Sequence, residues 1–213
     1  MTETASFPKL ERGLVAILRG LKPDEAVAVG RAIFEAGIEA IEVPLNSPDP
    51  FVSIARIVEA LPATALVGAG TVLTAADVDG LNKAGGRLLV SPNIDAEVMG
   101  RAMNYGMVTM PGVFTPTEAF QAIRLGASAL KFFPASVLGA AGIAAMRAVL
   151  PAETLVGAVG GVSEKDFAGY KAAGVSVFGL GSSLFKPGMS VDEVATRAQA
   201  AVAAWDAAFG AAP

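Results

Sequence analysis

Eight short apolar runs punctuate the chain, each followed by a longer stretch of helical character. They are LVAIL from Leu14, AIEV from Ala40, ALVGAG from Ala65, RLLVS from Arg87, MVTMPG from Met107, SALKFF from Ser128, LVGAVGG from Leu155 and VSVFGLG from Val175. Their starts are separated by roughly 20 to 27 residues, room for one strand and one helix per unit. Glycine stands just ahead of five runs, at Gly37, Gly85 with Gly86, Gly106, Gly126 and Gly174, where it supplies the left-handed residue that ends a helix before a strand. The segments KPDEA, SPDPF, TAADV, TPTEA and SEKDF carry proline, hydroxyl or acidic residues suited to a first helical turn.

Near-continuous apolar strands, each followed by a helix, predict a parallel sheet covered on both faces. Eight such units favour a closed (β/α)8 TIM barrel of the α/β class over an open doubly wound sheet. Val191 to Phe209 predicts an amphipathic helix that closes the barrel. No linker or shift in composition marks a second domain, so residues 1–213 are read as a single barrel domain with a short N-terminal extension.

Composition then narrows the chemistry. Among 213 residues there is neither Cys nor His, which removes disulfides, thiolate nucleophiles, imidazole-based triads and Cys/His metal sites. Amine, carboxylate, hydroxyl and backbone chemistry remain. A net charge of -4 argues against a nucleic-acid partner. No apolar run reaches the length of a membrane span, and MTETASFPKLERG lacks a basic stretch followed by an apolar one, so a soluble cytoplasmic protein without a membrane partner is expected.

Against that background Lys131 stands out as a lone cation in Ala-Leu-Lys131-Phe-Phe-Pro, a run that otherwise reads as a buried strand. Desolvation lowers a lysine pKa, and the free amine attacks carbonyls to form a Schiff base. The alternatives are a snorkelling lysine at a strand end or half of a structural ion pair. Glu42, in Ala-Ile-Glu42-Val-Pro, is equally out of place and is its natural partner. Such a pair would be a weak stabiliser, which favours a nucleophile and an acid/base over a purely structural role.

In a barrel of this kind chemistry collects at the C-terminal ends of the strands. That rule adds Arg19, whose planar fork suits a carboxylate, together with Thr71, Asn93 and two glycine-rich turns. Ala158-Val159-Gly160-Gly161-Val162-Ser163 and Gly179-Leu180-Gly181-Ser182-Ser183 each bring glycine amides to a strand end, the usual barrel location for a phosphate. Tight turns alone would also explain them. The motif Gly68-Ala-Gly-Thr71 is the weaker signal, being common at turns.

Taken in order, LVAILRG, AIEVPLNSP, VGAGTVL, VSPN, MPGVFTPTEA, ALKFFPAS, VGGVS and GLGSSLF resemble the class I aldolases that cleave 2-keto-3-deoxy-6-phosphosugar acids, over about Leu14 to Ala203. The gluconate-type branch of that family typically reads EVTLRT and PTGGIS where this chain has EVPLNSP and AVGGVS, so the resemblance is to the galactonate-type branch. It implies a Schiff base at Lys131, proton shuttling through a water by Glu42, and a pyruvate carboxylate held by Arg19 and Thr71. Pro92 and Phe133 would pack the pyruvyl portion, while Gly160, Gly161, Gly181 and Ser182 would hold the phosphate. Val159, in place of the threonine, would line the wall near the sugar C4 hydroxyl and bear on specificity. The implied partners are the phosphorylated keto-acid, pyruvate and glyceraldehyde 3-phosphate, in a homo-oligomer, a trimer by resemblance, with no metal and no cofactor. Within the aldolase reading the alternative is the gluconate-type substrate or use of both C4 epimers, and two other readings keep the architecture: a phosphosugar isomerase or epimerase, or a barrel that binds a phospholigand without catalysis.

Overall fold

The computed structural model describes residues 5–210; the ends of the predicted extension and tail, residues 1–4 and 211–213, lie outside the described residues. The chain runs β1 Leu14–Ile17, α1 Ala26–Glu35, β2 Ala40–Pro44, α2 Pro50–Ala60, β3 Leu66–Gly70, α3 Ala75–Lys83, β4 Leu88–Val90, α4 Ala96–Asn104, β5 Val108–Met110 and β6 Gly112–Val113. It continues with α5 Pro116–Arg124, β7 Leu130–Phe132, α6 Ala135–Arg147, β8 Val156–Val159, α7 Phe167–Ala172, β9 Val177–Leu180 and α8 Val191–Phe209. All eight apolar runs form strands, and the closing helix spans the residues expected of it.

Nine strands appear where eight runs predict eight, because the fifth is interrupted. Pro111 has no N–H to give to a ladder, so the run splits into β5 and β6 around it. All neighbouring strands are parallel, in the order β5-β4-β3-β2-β1-β9-β8-β7-β6. The split strand also completes the ring. On one side the Val108 N–H donates to the Arg87 carbonyl at 2.9 Å. On the other, the Ala129, Lys131 and Phe133 N–H groups donate to the carbonyls of Thr109, Pro111 and Val113 at 3.1, 3.0 and 3.1 Å. The architecture is the expected α/β barrel of eight strand–helix units.

Alternation along each strand sorts side chains into two layers. Ala16, Ile41, Val43, Val67, Ala69, Leu130, Phe132, Ala158 and Phe178 face outward into a continuous core beneath the helices. Val15, Ile17, Ala40, Leu66, Val90, Met110, Val159 and Val177 fill the barrel interior. Glu42 and Lys131 fall in the inward register, two positions beyond Ala40 and Ala129. At the opposite end Ala5, Phe7 and Leu10 pack against the interior cluster. Arg12 joins the N-terminal segment to α8 through a bidentate ion pair with Asp206, Nε to Oδ1 at 2.8 Å and Nη2 to Oδ2 at 2.9 Å.

Local signals hold up in most places. Gly37, Gly85, Gly106, Gly126 and Gly174 all adopt positive φ ahead of their strands. Capping boxes form at Thr74/Asp77, Thr115/Glu118 and Ser163/Asp166, and each such cap contributes about 1 kcal/mol. The KPDEA segment is different: α1 starts only at Ala26, and Glu25 turns back to accept the Lys22 N–H at 2.9 Å. Among the described residues no helix is long and apolar enough to cross a membrane.

Candidate active site

Lys131 stands in the middle of β7 and Glu42 in the middle of β2, with 6% and 2% of their surfaces exposed. The β-alternation that buries Leu130 and Phe132 against the helices turns Lys131 the other way, into the barrel. Its ammonium lies 4.6 Å from the centroid of the Phe133 ring, a favourable cation–π distance. No contact within 4.0 Å joins it to Glu42; the salt bridges among the described residues are Arg12–Glu11, Arg12–Asp206 and Arg101–Asp79. Glu42 Oε2 is fully buried and hydrogen-bonds to no protein group.

Burial therefore dominates the electrostatics of both groups. It pushes the Glu42 carboxyl up to about 7, against opposing pulls from Lys131 and Arg19. It pulls the Lys131 ammonium down from the ordinary lysine range; Glu42 resists that shift and Arg19 adds to it. The lysine therefore gives up its proton more readily than an exposed one, and near neutral pH the carboxyl can exist in either form.

Beside this pair opens a cleft of about 570 Å³, lined among others by Ile17, Arg19, Asn46, Phe133, Val159 and Lys186, a volume in the range of small-ligand sites. Gly160, Gly161, Gly181 and Ser182, the turns after β8 and β9, share that lining. Gly160 and Gly161 have φ of 93° and 73°, a left-handed pair that L side chains would strain. Gly181 needs glycine for neither reason: its φ is not positive and a Cβ there would meet open space.

The cleft thus gathers Arg19, Phe133, Val159 and both predicted phosphate turns. Lys131, Glu42, Thr71 and Pro92 are not on its lining; Lys131 adjoins it through the Phe133 ring. Thr71 directly follows β3 and holds φ of 56°, an uncommon conformation for a β-branched residue and the kind of strain that clusters at functional sites. Pro92 directly borders Gly112 of β6, the neighbour of Lys131 in the sheet register. Asn93 is exposed, and its carbonyl accepts from Ser91 Oγ at 2.7 Å.

Two lining residues escape a reading of the sequence by charge pattern. Asn46 Oδ1 accepts a hydrogen bond from Arg19 Nη1 and so orients the guanidinium. Lys186 brings a second cation to the cleft, just beyond the β9 turn. A basic residue shortly after a glycine- and hydroxyl-rich strand end is the signal that could have marked it.

A lysine that can shed its proton and a carboxyl that can take one, at the open end of an α/β barrel, suit imine formation with a carbonyl compound. That is the chemistry of the class I aldolase barrels. Comparison with known proteins narrows the class. Residues 9–202 match the family model described as KDPG and KHG aldolase. The chain is 61% identical over 204 residues, 96% of each protein, to a probable 2-dehydro-3-deoxy-6-phosphogalactonate aldolase of Rhizobium meliloti (strain 1021). It is 50% identical over 192 residues to the 2-dehydro-3-deoxy-6-phosphogalactonate aldolase of Escherichia coli (strain K12), covering 90% of this chain and 94% of that one. A solved structure of native KDPGal superposes with a TM-score of 0.92 at 47% identity, over 95% of this chain and 98% of that chain. The chain belongs to the KDPG and KHG aldolase family.

Proposed function

We propose that this chain is a class I aldolase that reversibly cleaves 2-dehydro-3-deoxy-6-phosphogalactonate to pyruvate and D-glyceraldehyde 3-phosphate. The mechanism rests on one observation: a buried amine and a buried carboxyl share the barrel interior at its mouth without closing into an ion pair. The substrate is supported by the two relatives named for that activity, one of them as probable, and by Val159 on the cleft wall.

Unprotonated Lys131 Nζ attacks the C2 carbonyl of the keto-acid, giving a carbinolamine whose oxygen takes a proton from Glu42 through a water. Loss of water leaves an iminium on Lys131. Glu42, now a carboxylate, takes up the proton of the C4 hydroxyl through the same water, and the C3–C4 bond breaks. Its electron pair moves into the iminium, giving an enamine of pyruvate and free glyceraldehyde 3-phosphate. Glu42, relayed by the same water, protonates the enamine at C3, and hydrolysis of the pyruvyl imine restores the amine. The iminium is the electron sink, so the scheme uses no metal or organic cofactor.

Arg19 and Thr71 hold the substrate carboxylate, and Phe133 and Pro92 flank the pyruvyl portion. Gly160, Gly161, Gly181 and Ser182 hold the phosphate through backbone amides and a hydroxyl, in the manner of barrel phosphate turns. The chain works as one domain, in a cytoplasmic homo-oligomer that is a trimer by family resemblance, and serves galactonate catabolism.

The decisive experiment is borohydride reduction in the presence of pyruvate, followed by peptide mass analysis. A reduced pyruvyl adduct on the peptide carrying Lys131 is expected, and Lys131→Met should be folded, unlabelled and inactive. A labelled or fully active Lys131→Met protein would sink the nucleophile assignment.

A further inference from the structure

The Gly68-Ala-Gly-Thr71 motif closes β3, and its two glycines are required by different neighbours. A Cβ on Gly68 would run into the backbone carbonyl of Leu88 on β4, so Gly68 serves the close approach of two strands. At Gly70 the three nearest atoms are all in the Glu42 carboxyl group, and a Cβ would overlap them. Neither residue has positive φ, so the backbone conformation itself does not demand glycine. Gly70 also keeps an ordinary ladder role, its carbonyl accepting the Leu45 N–H at 2.8 Å, which any residue would fulfil.

We infer that Gly70 is a positioning residue for the reaction: the space left by its missing side chain is the seat of the Glu42 carboxyl, which it holds buried and away from the Lys131 ammonium. This inference rests on the reading of Glu42 as the proton shuttle and adds the element that places it. A methyl group at position 70 would evict the carboxyl from the barrel wall toward solvent or toward Lys131. The first move relieves the desolvation that raises the Glu42 pKa and the second strengthens the opposing pull of a cation, so either takes Glu42 below its working range, with Lys131 on β7 and Arg19 after β1 as the charged groups acting on it. What obstructs the methyl is the far end of a flexible side chain. The substitution is therefore accommodated by moving Glu42, and the barrel survives.

Gly70→Ala is expected to lower kcat for cleavage by about 100-fold, the low end of the range typical of general acid–base catalysis, because the acid is displaced and not removed. KM for the phosphorylated substrate should change far less, since the phosphate turns are untouched. The limb of the pH–rate profile that reports Glu42 should move to lower pH. In a Glu42→Gln background the same Gly70→Ala change should have little further effect on kcat, because the group it displaces no longer transfers protons. A wild-type kcat and pH profile in Gly70→Ala, or an equally large loss in the Glu42→Gln background, would overturn the inference. Wild-type activity in Glu42→Gln alone would instead overturn the proton-shuttle reading. Should Gly70→Ala fail to fold, Gly70→Ala/Glu42→Asp decides: the shorter acid vacates the seat, so recovery of folding identifies Glu42 as the obstacle, and failure of both proteins places the obstacle elsewhere.

Discussion

Glu42 imposes a pH-dependent cost on the fold that Glu42→Gln should remove. Its carboxyl is fully buried and titrates at about 7, against 4.5 for an ordinary glutamate. Below the ordinary value the group is protonated in both the folded and unfolded chain, and its contribution to stability is fully present. Between the two values the folded protein retains a proton that the unfolded chain has released, so stability falls as pH rises and levels off above about 7. At about 1.4 kcal/mol per pKa unit the loss is about 3 kcal/mol. For a domain of this size that corresponds to a change in Tm of roughly 6–12 °C. Wild-type and Glu42→Gln proteins should be unfolded in urea across pH 4.5–7.5, followed by circular dichroism and by fluorescence of Trp205, the only tryptophan. Lys131 contributes with the opposite sign at higher pH, because a lysine held below its ordinary pKa gains stability as pH rises toward that value. The measured quantity is the wild-type stability minus that of Glu42→Gln, in which contributions from other carboxyl groups, such as the capping Glu118 and Glu193, cancel. It should fall by about 3 kcal/mol from the acid to the neutral end. Parallel curves would refute the reasoning, since they would mean that the carboxyl is not desolvated in the folded protein.

Val159→Thr should narrow the preference for the galactonate epimer over the gluconate epimer by about tenfold in the ratio of kcat/KM, the usual scale for one hydroxyl against one methyl in a pocket. Coupled assays with both substrates measure it, and an unchanged ratio would remove Val159 from the C4 wall. Arg19→Lys should raise KM by about tenfold with a smaller change in kcat if the proposed carboxylate role holds, because a point charge would replace a fork suited to two-point contact; steady-state kinetics would expose an effect confined to kcat as contrary to that role.

The sequence reveals what depends on local rules. Lys131 and Glu42 are conspicuous because an ion inside an apolar strand run has few structural excuses, and the period of two then decides that they face the barrel interior. The Thr74, Thr115 and Ser163 caps and the positive-φ glycines follow from the chemistry of four or five neighbouring residues. What stayed hidden depends on distant partners. Pro111 splits a strand only through its ladder with the next strand, whose N–H groups reach the carbonyls of Thr109, Pro111 and Val113 while Pro111 has no N–H to return. Gly70 looks like a turn glycine until the Glu42 carboxyl, folded in from β2, occupies its side-chain space. Asn46 matters through Arg19, 27 residues away, and neither residue alone announces the other.

The separation between Lys131 and Glu42 is itself a functional feature. A closed ion pair would hold the lysine as an ammonium, which has no lone pair to attack a carbonyl, and the glutamate as a carboxylate, which has no proton to give. Burying both while denying them direct contact leaves desolvation as the stronger influence on each, and so draws both toward neutrality. The arrangement carries a stability penalty, because one buried oxygen of Glu42 goes without a protein partner. The strained backbone at Thr71, one residue past the glycine that seats Glu42, lies on the same rim. Strain, an oxygen without a protein partner and two displaced pKa values are thus contributed by β2, β3 and β7 to one end of the barrel, a concentration of unfavourable terms that folding alone would not select.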